Sequence, residues 1–132
     1  MIKNFNLFNE SKKDKFPNIK TLNIDGYIVL IGRDALSNDY LTINMANPDD
    51  MWFHVKGVPG SHIVVRMIDG VTMKYDTKLK VANLAVKNSK CKEYLEVKVV
   101  CCKAKFVKKD KDSNPGKVVV DYDNAEEIII NI

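Results

Sequence analysis

No stretch of this chain runs to the about 18 consecutive apolar residues that a membrane-crossing helix needs. The opening MIKNFNLFNESKK likewise holds no apolar centre of the kind that marks a secretory leader. Cysteine is scarce, and its placing excludes more: Cys91, Cys101 and Cys102 are odd in number and two are adjacent, which suits neither a disulfide framework nor a CxxC metal knuckle. Neighbours on a strand point to opposite faces, so Cys101 and Cys102 are read as small buried side chains rather than ligands of one metal. With only His54 and His62 as histidines, a zinc set with Asp50 lacks both standard spacing and a third strong ligand. No Walker loop, GxSxG or HExxH is present, and no carboxylate or nucleophile stands where it would complete a catalytic pair with the histidines. These absences exclude several classes at once. The expectation is a protein of the cytoplasm, or of the nucleus, that is not an enzyme and takes no metal or cofactor.

What is present is the composition of an ordinary folded domain. The chain has 132 residues, 45% hydrophobic and 29% charged, enough for one hydrophobic core and one domain. The net charge of +4 is unevenly spread. From Lys74 to Lys117 there are 13 lysines and 5 acids, a local +8, which leaves −4 for the remainder. A basic half joined to a mildly acidic one points to a polyanionic partner on one side.

Residues 1–19 read as a polar arm, and 20–132 as the domain. Asp25-Gly26, flanked by Thr21–Asn23 and Tyr27–Ile31, is a two-residue hairpin signal. Ala35–Asp39 predicts one helical turn, and Tyr40–Ile43 a short strand. Strands are expected over Met51–Lys56 and His62–Met67, joined by Gly57-Val58-Pro59-Gly60-Ser61. A helix is predicted from about Thr77 to Lys90, with Asp76 or Thr77 as its cap. A long strand follows from about Tyr94 to Val107, its apolar phase slipping between Val99 and Cys102 as if bulged. After the basic turn KKDKDSNPGK come strands at Val118–Tyr122 and Ile128–Ile130. The class is α+β: a mostly antiparallel sheet of six to eight strands, with one substantial helix covering one face.

Alternation divides the central hairpin. Met51, Phe53, Val55, Ile63, Val65 and Met67 form a core face. Trp52, His54, Lys56, His62 and Arg66 then share the opposite surface, together with Val64. An indole offers a plane on which an unpaired base stacks, and Lys56 and Arg66 can neutralise phosphates. On the helix, Lys80, Asn83, Lys87 and Lys90 form one stripe at spacings of three and four. Lys103 and Lys105 share a strand face, and would extend a phosphate-tracking surface if the helix edge adjoined it.

DMWFHVKGVPGSHIVVR, from Asp50 to Arg66, resembles the signature of the NFACT-R domain, the RNA-binding domain of the NFACT proteins of ribosome quality control. Gly26-Tyr27 with Ile31-Gly32-Arg33, Asn38–Thr42, Leu84-Ala85 with Ser89-Lys90, and Val107–Lys109 with Pro115-Gly116 are similar to further family segments. Departures are Cys101-Cys102 in place of a Tyr-Thr pair, and Asp110 and Asp112 inside the basic turn. The length leaves no room for the other domains of full NFACT proteins, so a standalone module is expected. The resemblance implies nucleic-acid binding, with RNA favoured over DNA and an association with ribosomes or tRNA. Arg33 at the Gly-Arg step joins Trp52, His54, Lys56, His62, Arg66, Lys80, Lys87, Lys90, Lys103 and Lys105 as the candidate contacts. The alternatives are a protein-interaction module, docking through a sheet edge or the arm around Phe5, Leu7 and Phe8, and a nucleic-acid-processing enzyme using His54 and His62.

Overall fold

The computed structural model describes residues 15–91 and 96–132. In chain order the first half supplies β1 (Ile19–Ile24), β2 (Tyr27–Gly32), α1 (Ala35–Asp39), β3 (Met51–Val55) and β4 (Ile63–Val65). The second half supplies α2 (Tyr75–Lys87), β5 (Glu96–Lys103), β6 (Val107–Lys109), β7 (Val118–Val120) and β8 (Glu126–Asn131). Six strands make one sheet in the order β1-β2-β4-β3-β5-β8, every pairing antiparallel, and β6 and β7 make a second, two-stranded sheet. This is the α+β architecture that the patterning predicts. The N-terminal arm expected before residue 20 lies largely outside the described residues.

The Asp25-Gly26 turn forms as read, with φ of 53° and 90° at its two central residues, the left-handed pair that a tight hairpin requires. The same turn anchors the long helix. Thr77 does not cap α2; its hydroxyl donates to Asp25 Oδ2 at 2.8 Å, while Lys80 donates to Asp25 Oδ1. The helix therefore starts at Tyr75, ahead of the expected cap, and stops at Lys87, short of Lys90.

α2 covers one face of the sheet as expected, and the opposite face has a cover of its own. Against α2 lie Phe53, Val55, Ile63, Val65, Val99, Cys101 and Ile128. On the other face Leu30, Trp52, Val64, Val100 and Cys102 pack with Leu41 and Val107, contributed by the segment after α1 and by β6. The phase slip in β5 is thus no bulge: Val99, Val100, Cys101 and Cys102 are buried in succession in a regular strand because each face has its own cover. The predicted strand at Tyr40–Ile43 is instead a π-helical continuation of α1, Tyr40–Met45. Ala46 N–H donates to the Leu41 carbonyl five residues back, and this wider winding turns Leu41 and Thr42 inward.

The Gly57–Ser61 turn is clamped from two sides. Ser61 N–H donates to the Asn88 carbonyl and Lys90 N–H to the Pro59 carbonyl, tying the turn to the end of α2. From α1, the Asn38 amide donates to the Gly60 carbonyl at 3.4 Å and accepts from His62 N–H at 3.0 Å. Glycine is required at position 60 by proximity, since a Cβ there would lie 2.9 Å from Ser89 Cβ. Gly60→Ala should therefore destabilise the domain by about 1–3 kcal/mol, read as a lower urea midpoint at unchanged m-value.

Candidate nucleic-acid interface

The clamped turn is one wall of an open cleft of about 1040 Å³. The floor is the face of β3 and β4 that carries Trp52, His54 and His62. The far wall is the loop between β6 and β7, with Asp110 and Pro115–Val118, and Tyr122 just beyond β7. Lys109 holds that loop in shape: its ammonium donates to the Asn114 and Lys117 carbonyls and pairs with Asp39. The cations around the cleft are Arg33, Lys56, Lys90 and Lys117, against the carboxylates of Asp34 and Asp110. Asp34 is already engaged in capping α1 through Ser37 N–H. Lys56 pairs with Glu127 at 2.5 Å. Among the described residues Arg33, Lys90 and Lys117 stand without an ion pair, all three exposed.

Alternation sorted the hairpin correctly, but exposure follows a different rule. Trp52 is only 1% exposed and offers no plane to a base. Its indole N–H donates to Thr42 Oγ1 at 3.0 Å, and the same oxygen lies 2.8 Å from His62 Nδ1. His62 is equally buried, at 1% exposure. Burial, with a smaller push from His54, lowers the His62 imidazole to about 4, so the ring is neutral at pH 7. The indole can only donate. The Thr42 hydroxyl therefore accepts from Trp52 and shares a second hydrogen bond with His62 Nδ1. His54 is half-buried above this pair, its ring 5.8 Å from Trp52 and 5.2 Å from His62, and burial lowers it too, the Gly60 backbone opposing.

Arg66 is likewise a structural residue. Its guanidinium donates to the Met45 carbonyl and to Asp50 Oδ2, at 2.9 and 2.8 Å. Asp50 is buried, and accepts from the Asn47 and Met67 amides as well. Lys103 and Lys105 both reach toward Asp49 Oδ1, at 3.5 Å. Lys103 pairs with Met51, on the α2 face of the sheet, whereas the cleft floor is the opposite face with Trp52 and His54, and neither Lys103 nor Lys105 lines it. Lys80 is held by Asp25, and Lys87 is exposed one turn short of Lys90. The structure thus brings Arg33, His54, Lys56 and Lys90 together over a floor of Trp52 and His62. Sequence reasoning missed Lys117 and Tyr122, which only the fold-back of the β6–β7 hairpin carries to the cleft. Among the described residues no three of His, Cys, Asp and Glu converge as a metal-binding group.

These features define a class: a small α+β domain with a basic cleft at one end of a doubly covered antiparallel sheet. Residues 15–121 match the family model described as the NFACT protein RNA binding domain, and the chain belongs to that family. It is 34% identical over 105 residues to the Rqc2 homolog RqcH of Bacillus subtilis (strain 168), covering 80% of this chain and 18% of that protein. With the Rqc2 homolog RqcH of Streptococcus suis (strain 05ZYH33) the identity is 37% over 91 residues, 69% of this chain and 16% of the relative. The chain thus spans less than a fifth of these curated relatives. Among solved structures, the C-terminal part of the fibronectin/fibrinogen-binding protein from Streptococcus suis superposes with a TM-score of 0.73 at 33% identity, covering 87% of this chain and 45% of that one. The resemblance read from Asp50–Arg66 is borne out.

Two outcomes follow from the buried polar groups. Arg66→Met strands the Asp50 carboxylate and should lower unfolding free energy by about 2–3 kcal/mol, discounted for the partly exposed guanidinium; denaturant titration reads it. Because the folded His62 takes up its proton near 4, below the 6.5 of an unperturbed histidine, the unfolded chain binds more protons between those values. Stability is full above about pH 6.5 and should fall as the pH drops toward 4. In His62→Gln that dependence should flatten, leaving the smaller share of His54.

Proposed function

We propose that this chain is a non-catalytic RNA-binding module that holds RNA in the cleft between the Gly57–Ser61 turn and the β6–β7 loop. The observation that carries the reading is the convergence of Arg33, Lys90 and Lys117, exposed and without an ion pair among the described residues, around one concave site whose wall is fixed backbone. Membership of a family described by RNA binding agrees with it. Lysine and arginine at such spacing neutralise successive phosphates, and the guanidinium of Arg33 can grip one with two parallel bonds. Lys56 adds a fourth charge once phosphate competes with Glu127. Lys87 adds attraction at longer range, while Lys80, Lys103 and Lys105 are removed from the contact set by their acidic partners. The likeness to RqcH proteins supports a cytoplasmic place on ribosome-associated RNA.

A second reading, docking on a protein, is favoured by one observation. Leu36, Tyr40 and Ile43 lie exposed along α1 and its continuation, with Phe16 packed edge-on against Tyr40. Binding to a purified protein partner that survives nuclease and high salt would support it over RNA.

The salt dependence of RNA affinity separates the two. Arg33→Ala, Lys90→Ala and Lys117→Ala should each reduce the slope of log K against log salt by about 0.7–0.9. Lys103→Ala and Lys80→Ala should leave it unchanged. Affinity that is flat across salt in the unmodified protein would sink the RNA reading.

A further inference from the structure

Trp52 is buried, yet the cleft keeps an exposed aromatic ring. Tyr122 lines it with 52% of the residue exposed, and Lys56 Nζ stands 4.9 Å from the ring centroid, over one face. Lys56 takes one face of the ring, and the half-exposed residue leaves ring surface available to a flat ligand. Across the floor stands His54, half-buried and, among the described residues, free of an ion pair. The cleft, at about 1040 Å³, stands at the upper end of pockets that enclose a small molecule, room for roughly one or two nucleotides and not for the body of a double helix.

Resting on the RNA reading above, we infer that the cleft takes an unpaired nucleotide, its base stacked on Tyr122, its polar edge or ribose hydroxyl against His54, and its flanking phosphates on Arg33, Lys90 and Lys117. Each part follows from ordinary chemistry. Bases that are splayed from a helix expose a π face, and aromatic side chains take that face with little regard to sequence. Lys56 over the far face of the phenol polarises the ring and holds it in place. A neutral imidazole has one N–H and one bare nitrogen, so His54 can accept from an exocyclic amine or a 2′-hydroxyl while its ring remains packed on Trp52 and His62. The 2′-hydroxyl is the group by which RNA differs from DNA at a site of this kind. Tyr122 lies immediately past the residues 15–121 that match the family, so the family match assigns it no role.

Fluorescence anisotropy with the full chain tests the inference on three labelled probes: a single-stranded RNA, a blunt RNA duplex of equal length, and the same duplex with a short single-stranded overhang. The single strand and the overhang should bind about tenfold more tightly than the blunt duplex at equal salt, in keeping with one stacked base. Tyr122→Ala should erase that preference while leaving duplex affinity and the salt slope unchanged; Tyr122→Phe should restore it. His54→Phe, which keeps the ring packing, should lower single-strand affinity several-fold and narrow the difference between RNA and its 2′-deoxy counterpart. Equal binding of blunt duplex and single strand, or an equal loss on all three probes in Tyr122→Ala, would overturn the unpaired-nucleotide site and leave RNA binding standing. No RNA binding by the unmodified chain would overturn both.

Discussion

The Thr42 hydroxyl is the point at which the second face of the sheet is fastened. One oxygen serves the Trp52 indole from β3 and the imidazole of His62, just ahead of β4, and it is carried by the segment that covers them both. All three residues are buried, so a missing partner would leave a polar atom stranded away from water. That requirement accounts for the π-helical winding after α1: an extended strand over Tyr40–Ile43 would alternate its side chains and could not bring Leu41 and Thr42 inward together. The neighbouring Asn38 extends the constraint, reaching both the Gly60 carbonyl and the His62 amide, so cleft floor and cleft wall are set by the same short segment.

Much of the fold was legible because its causes are local. Asp25-Gly26 specifies its turn through backbone conformation alone, and the core set of Met51, Phe53, Val55, Ile63 and Val65 follows from alternation. The illegible parts depend on contacts distant in sequence. Whether Trp52 is a platform or a core residue is decided by the α1 continuation and β6, neither of which marks the hairpin's own pattern. The four successive buried residues in β5 look like a defect in a one-sided strand and are normal in a two-sided one.

The candidate site divides along the same line. Arg33, His54, Lys56 and Lys90 were found because a motif or a helical stripe carries them. Lys103, Lys105 and Arg66 were selected by charge type, and charge type says nothing about partners: Asp49 and Asp50, which claim them, precede them by 16 residues or more. Tyr122 carries no local signal, and Lys117 only that of the basic turn it closes. They reach the cleft only because β7 pairs back on β6, with Val107 opposite Val120 and Lys109 opposite Val118.

The turn at Gly57–Ser61 has a consequence for the time course of any encounter. Its carbonyls and amides are already committed to α1 and α2, so the loss of freedom that a loose loop would suffer on capture has been settled during folding. A guest that enters meets a wall that neither closes over it nor needs to reopen. Arrival is then limited by diffusion and charge steering, and residence time becomes the variable through which side-chain differences among such domains are expressed.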